Sequence, residues 1–151
     1  MEFINSVSIA EMDEKHIDSI AELEKLCFST PWSRKSIMYE LHNDAAFYYS
    51  AILDGKIVGY AGMHIVFDEG YITNVCTHPD FEGKGIGKML MSKLFDIAKE
   101  KSLAFLTLEV RKSNLKAKGL YKKFGFVGEG FRKDYYKNPV EDAEIMFYHF
   151  K

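Results

Sequence analysis

The chain has 151 residues, with 47% hydrophobic and 15% aromatic side chains; that size and content suit one packed domain and exclude a mainly disordered chain. Lys and Arg number 20 against 22 Asp and Glu, a formal net charge of -2, so nothing draws the chain as a whole to phosphate backbones and a dedicated nucleic-acid binder is disfavoured. No apolar run approaches the ~18–20 uncharged residues of a membrane span, and residues 1–10 lack the basic start and apolar centre of a secretory leader. A cytosolic protein with no membrane partner is therefore expected.

No repeat, low-complexity tract or linker interrupts the sequence, so residues 1–151 are expected to form one continuous fold. Over 13–28, Ile17, Ile20, Leu23, Leu26 and Cys27 recur at three- and four-residue intervals behind Asp13, which predicts an amphipathic helix with Asp13 as its N-cap. A second helix is expected to start at Thr30 and Pro31 and to run to about His42 with Ile37 and Leu41 inward. Residues 47–53 and 56–66 are rich in aromatic and β-branched side chains and are separated only by Asp54-Gly55, which predicts a hairpin. Another strand is expected over 70–77. A long helix then follows the glycine-rich turn, with Ile86, Met89, Leu90, Leu94, Ile97 and Ala98 as its apolar face through about Lys101. A buried strand over 103–110, a short helix over 114–124 capped by Asn114, and two strands near 126–135 and 143–150 complete the chain. Hairpins followed by a β-α-β crossover imply a mixed α/β or α+β sheet, mostly antiparallel, with helices on its faces. Cys27 and Cys76 lie in different segments without CxxC spacing; both are expected to be small core residues, with neither a disulfide framework nor a cysteine metal site. His16, His42, His64, His78 and His149 show no pairing that suggests zinc, and no metal is expected.

The turn Gly83-Lys84-Gly85-Ile86-Gly87-Lys88 joins a strand to a helix. Such a turn gathers backbone N–H groups and the positive end of a helix dipole around one concavity, which suits an anion. Its glycines let backbone approach a diphosphate, and Lys84 and Lys88 add positive charge. Two phosphate loops can be tested against it. A Walker A loop ending at Gly87-Lys88 needs glycine at 82 and Ser or Thr at 89, where Glu82 and Met89 stand; a dinucleotide GxGxxG starting at Gly83 needs glycine at 88, where Lys88 stands.

With Asn74-Val75-Cys76-Thr77-His78-Pro79 ahead of it, the run Glu82-Gly83-Lys84-Gly85-Ile86-Gly87 resembles the acetyl-CoA motif of the GCN5-related N-acetyltransferases, a Q/R-x-x-G-x-G/A run between strand and helix. Glu82 replaces the usual Gln or Arg, and its charge beside a diphosphate is expected to weaken binding without abolishing it. Leu108-Glu109-Val110-Arg111-Lys112-Ser113-Asn114, followed by Leu120-Tyr121-Lys122-Lys123-Phe124-Gly125-Phe126, is similar to the same family's catalytic strand and following helix. Cys27-Phe28-Ser29-Thr30-Pro31-Trp32-Ser33, Arg132-Lys133-Asp134-Tyr135-Tyr136 and Glu141-Asp142-Ala143 narrow the resemblance to the bacterial members that acetylate the N-terminal alanine of a small-subunit ribosomal protein.

That resemblance implies acetyl-CoA as co-substrate, a ribosomal-protein N-terminus as acceptor, and direct transfer in a ternary complex. An α-amine has a pKa of about 7.7–8.0, so ~10% or more is neutral at pH 7 and a modest base suffices. The resemblance assigns that role to Glu109, whose strand neighbours Leu106, Thr107, Leu108 and Val110 would partly bury it; from the residues alone, a solvated Glu or one paired with Arg111 or Lys112 fits as well. Tyr121 is the implied acid for the departing thiolate, because a phenol stays protonated at pH 7; packing in a helix is the plain alternative. Asn114 is implied in cofactor contact as well as capping, while Val75, Cys76 and Thr77 would offer backbone groups to the pantetheine arm. Trp32, Tyr135 and Tyr136 are candidates to line the acceptor groove, and Glu141, Asp142 and Glu144 to attract a basic tail. The alternatives left open are a relative acetylating a small amine or lysine, and a non-catalytic CoA-binding module.

Overall fold

The computed structural model describes residues 6–151; the leader reading of residues 1–10 falls partly outside them. Seven strands form one sheet: β1 (Val7–Glu11), β2 (Ala46–Leu53), β3 (Lys56–Val66), β4 (Glu69–Thr77), β5 (Phe105–Arg111), β6 (Val127–Tyr136) and β7 (Glu141–His149), in the order β1-β2-β3-β4-β5-β7-β6. Every neighbouring pair is antiparallel except β4 and β5, joined in parallel by the crossover through the long helix. The expected mostly antiparallel mixed sheet is thus present, with β7 inserted between β5 and β6. No strand was expected ahead of Asp13, yet β1 pairs with β2 along Val7–Glu11. Five residues at a sheet edge are too few for a period-two pattern to stand out.

Among the described residues four α-helices cover the sheet: α1 (Ile17–Cys27), α2 (Arg34–Leu41), α3 (Ile86–Glu100) and α4 (Leu115–Lys123). They divide the core between the faces. Under α3 and α4, Ile86, Leu90, Met91 and Leu94 pack with Ala51, Met63, Leu106 and Met146; under α1 and α2, Ile17, Ile20, Leu23 and Ile37 pack with Tyr48, Tyr60 and Cys76. Asp13 caps as expected, though over a short 3-10 turn at Glu14–His16 that precedes α1. The second helix corrects the expected start: Ser33 is the N-cap, accepting from Ser36 N, and Thr30 and Pro31 lie before it. Ser33 wins because its hydroxyl can reach an exposed N–H one turn in.

A bulge in β4 decides which of its residues face which helices. Gly62 faces Asn74 while Met63 faces Ile72, so Thr73 is an extra residue. It shifts the alternation, so that Ile72 and Val75 both face the α3 side while Asn74 and Cys76 face α1. Cys27 and Cys76, expected as independent core residues, are bonded to each other as a disulfide, their Cα atoms 6.3 Å apart. The end of α1 packs on β4 at this point, a juxtaposition that 49 residues of separation hide in the sequence.

Candidate active site

β4 and β5 part company after three rungs. Their ladder covers Glu69–Tyr71 against Phe105–Thr107; beyond it Leu108–Arg111 pair only with β7 and Ile72–Thr77 only with β3. His78 N donates to Val58 O, and by antiparallel alternation the backbone groups of Cys76 point to β3 while those of Val75 and Thr77 point into the gap. Val75 and Thr77 therefore offer what an extended ligand needs. Cys76 does not: its backbone serves the β3 ladder and its sulfur is bonded to Cys27.

The glycine turn stands at the end of this gap. Gly83 (φ +76°) and Gly85 (φ +89°) hold left-handed conformations, which residues with a Cβ adopt at a cost. A Cβ on Gly83 would meet nothing within 4 Å, so that side of the turn is open, whereas one on Gly87 would come within 3.1 Å of Leu120 Cδ2 and 3.8 Å of Thr77 Oγ1. The first intrahelical bond of this end of α3 runs from Met89 N to Gly85 O, leaving the N–H groups of Ile86, Gly87 and Lys88 without intrahelical acceptors. Ile86 itself is buried and anchors the turn, so only its backbone is available to a ligand; Lys84 and Lys88 are exposed around it. Glu82, expected to oppose an anion, is paired with Lys116 at 3.2 Å, a counter-charge from the first turn of α4 that offsets its own.

Across the gap, Thr107, Glu109 and Arg111 share the α1 face of β5. Glu109 is not isolated among apolar neighbours as its strand suggested: its carboxylate accepts from Arg132 Nε at 2.8 Å, with the side chain about 30% exposed. Neither Arg111 nor Lys112, the partners sequence proximity suggested, takes that place. Asn114 caps α4 by accepting from Ala117 N at 3.1 Å. Tyr121, one turn from the end of α4, is 8% exposed beside Phe126. Burial pushes its phenol well above the usual value, and Tyr136 pushes it further, so it stays protonated at neutral pH. Tyr136 is raised to about 12, chiefly by burial and also by Tyr135 and Glu109; Tyr135 is raised by burial and by Glu109. Tyr136 is thus close enough to feel both the Glu109 carboxylate and the Tyr121 phenol, and Tyr135 stacks edge-on against it with ring centroids 5.1 Å apart.

Other candidates are placed differently. Trp32 packs its ring 6.2 Å from that of Tyr48, within the α1–α2 cluster. Glu141, Asp142 and Glu144 are engaged internally rather than displayed to a basic tail. Glu141 accepts from Ser113 N (2.7 Å) and Arg111 Nη1 (3.2 Å), Asp142 from Asp134 N (2.9 Å), and Glu144 from Lys118 Nζ (3.0 Å). Hydrogen bonds from Ser113, with Arg111 adding, hold the Glu141 carboxyl below the usual carboxylate range.

Two polar residues have roles that the sequence reading did not assign. Glu24, 1% exposed, accepts from Trp32 N (2.8 Å), Asn74 Nδ2 (3.0 Å) and the Tyr60 hydroxyl. It sits four residues after Ile20 and seven after Ile17, on the apolar stripe of α1, and Leu26, expected on that stripe, is 55% exposed. A carboxylate at a stripe position was the available signal. Arg111 is the second, an arginine at the end of a buried strand. Among the described residues, no group of three or more His, Cys, Asp or Glu side chains could hold a metal ion, and no helix is long and apolar enough to cross a membrane.

Comparison with known proteins gives consistent results. A family model described as acetyltransferase (GNAT) family matches residues 17–126. A Bacillus subtilis (strain 168) protein provisionally named [ribosomal protein bS18]-alanine N-acetyltransferase is 40% identical over 141 residues, 93% of each chain. The [ribosomal protein bS18]-alanine N-acetyltransferase of Haemophilus influenzae is 34% identical over 91% of this chain and 95% of its own. Among solved structures, the ribosomal-protein-S18-alanine N-acetyltransferase of Escherichia coli superimposes with a TM-score of 0.88 at 28% identity, covering 96% of this chain and 94% of that one.

Proposed function

The chain belongs to the acetyltransferase (GNAT) family, and from that premise we propose that it transfers acetyl from acetyl-CoA to the N-terminal alanine amine of a small-subunit ribosomal protein, in the cytoplasm, within residues 1–151 as one catalytic domain. The acceptor is that named for its relatives. The observation that carries the mechanism is the gap between β4 and β5, with the amide-rich end of α3 at its mouth and Glu109 on the strand opposite Val75 and Thr77.

Acetyl-CoA supplies a thioester, whose carbonyl carbon is the electrophile. Val75 and Thr77 would hold the pantetheine arm through backbone hydrogen bonds, as an added strand is held. The amides of Gly83, Lys84, Gly85, Ile86, Gly87 and Lys88, with the two lysine charges, would take the diphosphate, and Asn114 would add a side-chain contact. Glu109, directly or through one water, accepts the proton that the α-amine sheds as its lone pair forms the new C–N bond. Tyr121 donates its proton to the sulfur as the C–S bond breaks, so that CoA leaves as a thiol and the phenolate recovers a proton from solvent. Tyr135 and Tyr136 would line the approach to Glu109, while Trp32, its ring packed against Tyr48, would support the α1–α2 connection at the edge of the acceptor groove.

The test compares an alanine-starting ribosomal-protein peptide, a polyamine and an N-blocked lysine peptide as acceptors. We expect the alanine peptide to lead in kcat/KM by about 100-fold or more, and Glu109→Gln and Tyr121→Phe each to lower kcat by ~10²–10⁴-fold. Preference for either other amine refutes the acceptor. Acetyl-CoA binding without turnover on any amine refutes the enzyme reading, and full kcat in both variants refutes the residue roles.

A further inference from the structure

Arg111 ends β5 two residues beyond Glu109, on the same face. Its guanidinium donates four hydrogen bonds: Nη1 to Pro139 O (3.0 Å) and Glu141 Oε1 (3.2 Å), Nη2 to Lys137 O (2.9 Å) and Ser29 Oγ (3.2 Å). Its plane also lies over the Tyr136 ring, 4.5 Å from the centroid. One side chain thereby ties the strand of Glu109 to two separate segments, the α1–α2 connection at Ser29 and the β6–β7 turn.

The strand leading into the turn is irregularly paired. The β6–β7 ladder pairs Arg132 with Ala143 and next Tyr136 with Glu141, with a register shift between. Lys133–Tyr135 thus have no rung, and the Asp134 N–H is taken by the Asp142 carboxylate instead. The same stretch carries Tyr135 and Tyr136, and Arg132, the partner of Glu109, stands at its start. Glu141, held by Arg111, also receives Ser113 N beside Asn114. Only a planar fork can meet two carbonyls, a carboxylate and a hydroxyl while stacking on a ring; an ammonium on a flexible stem cannot.

We propose that Arg111 is a positioning residue for the acceptor: it clamps the α1–α2 connection and the β6–β7 turn, the two walls of the acceptor groove, against the strand bearing Glu109. The proposal rests on the reaction proposed above. It predicts damage to acceptor binding with the acetyl-CoA side intact. In Arg111→Lys we expect KM for the peptide to rise about tenfold or more while kcat falls less than about threefold, and acetyl-CoA Kd by calorimetry to stay within about twofold. Ser29→Ala, which cuts only the link to the α1–α2 connection, should raise KM by a smaller factor. Hydrogen exchange needs no turnover: amides at 133–138 should exchange faster in Arg111→Lys, and those of β2 and β3 at the native rate. Equal losses on kcat and KM, a parallel loss of acetyl-CoA affinity, or native exchange at 133–138 overturns the clamp. Wild-type preference for another amine overturns the acceptor reading alone, since the exchange result stands independently of it.

Discussion

Replacing Glu24 by alanine should cost about 4 kcal/mol of stability and loosen the segment that carries Trp32. Its carboxylate is 1% exposed and receives Trp32 N, Asn74 Nδ2 and the Tyr60 hydroxyl. Tyr60 is fully buried and Asn74 is 6% exposed, so both lose a partner that water cannot readily replace, at ~1–3 kcal/mol each. Trp32 N lies nearer the surface and can bond water, so it adds little. A loss of ~2–6 kcal/mol is a large part of the ~5–15 kcal/mol that holds a domain of this size. Glu24→Gln keeps the shape and one acceptor but sets its NH2 against donors, and should cost ~1–2 kcal/mol. Urea unfolding followed by far-UV circular dichroism gives the stabilities. Trp32 is the single tryptophan, so its emission reports the α1–α2 connection directly and should shift to the red in Glu24→Ala before global unfolding. A cost below ~1 kcal/mol, or an unmoved emission maximum, would show that the carboxylate is not the anchor described.

Three further outcomes are expected. At alkaline pH the buried tyrosines should destabilise the fold: burial raises Tyr48, Tyr60 and Tyr121 well above 10, and Tyr136 to about 12. The unfolded chain sheds these protons from about pH 10 while the folded chain keeps them, so stability is intact below that pH and falls above it. The slope is up to ~1.4 kcal/mol per pH unit for each fully buried phenol; a urea midpoint flat from pH 9 to 11 would contradict this. Lys116→Ala should strip Glu82 of its counter-charge and weaken acetyl-CoA binding about 3–10-fold at low salt, an effect that fades at high salt and is reversed by adding Glu82→Gln; calorimetry of the single and double variants at two salt concentrations decides it. In Gly62→Ala the new Cβ would overlap the Tyr48 ring, which cannot swing aside because it is buried and its hydroxyl is bonded to Thr73. The expected loss is ~1–3 kcal/mol in chemical denaturation, and an unchanged midpoint would refute it.

The fold was legible where local chemistry sets it. Asp54-Gly55 gives the β2–β3 turn, with both residues at positive φ, and Asn114 caps α4 as expected of an Asn at the head of a helix. What stayed hidden depends on contacts between distant segments. The bulge at Thr73 breaks the alternation that places Ile72, Asn74 and Val75 on their faces, and nothing local marks it. The start of α2 turns on whether Thr30 or Ser33 finds an N–H one turn on, and both are sound caps by composition. In the site, the glycine turn was readable because positive φ demands glycine. Arg132, which meets Glu109 from a strand 23 residues downstream, was not readable as its partner, nor were the internal ties that occupy Glu141, Asp142 and Glu144.

The three-rung seam between β4 and β5 has a mechanical consequence. It leaves the sheet as a four-strand and a three-strand panel stitched together at one end. A guest lying along Val75 and Thr77 would act as the missing thread, stiffening the molecule far from where it touches. Occupancy would then be felt by both panels at once.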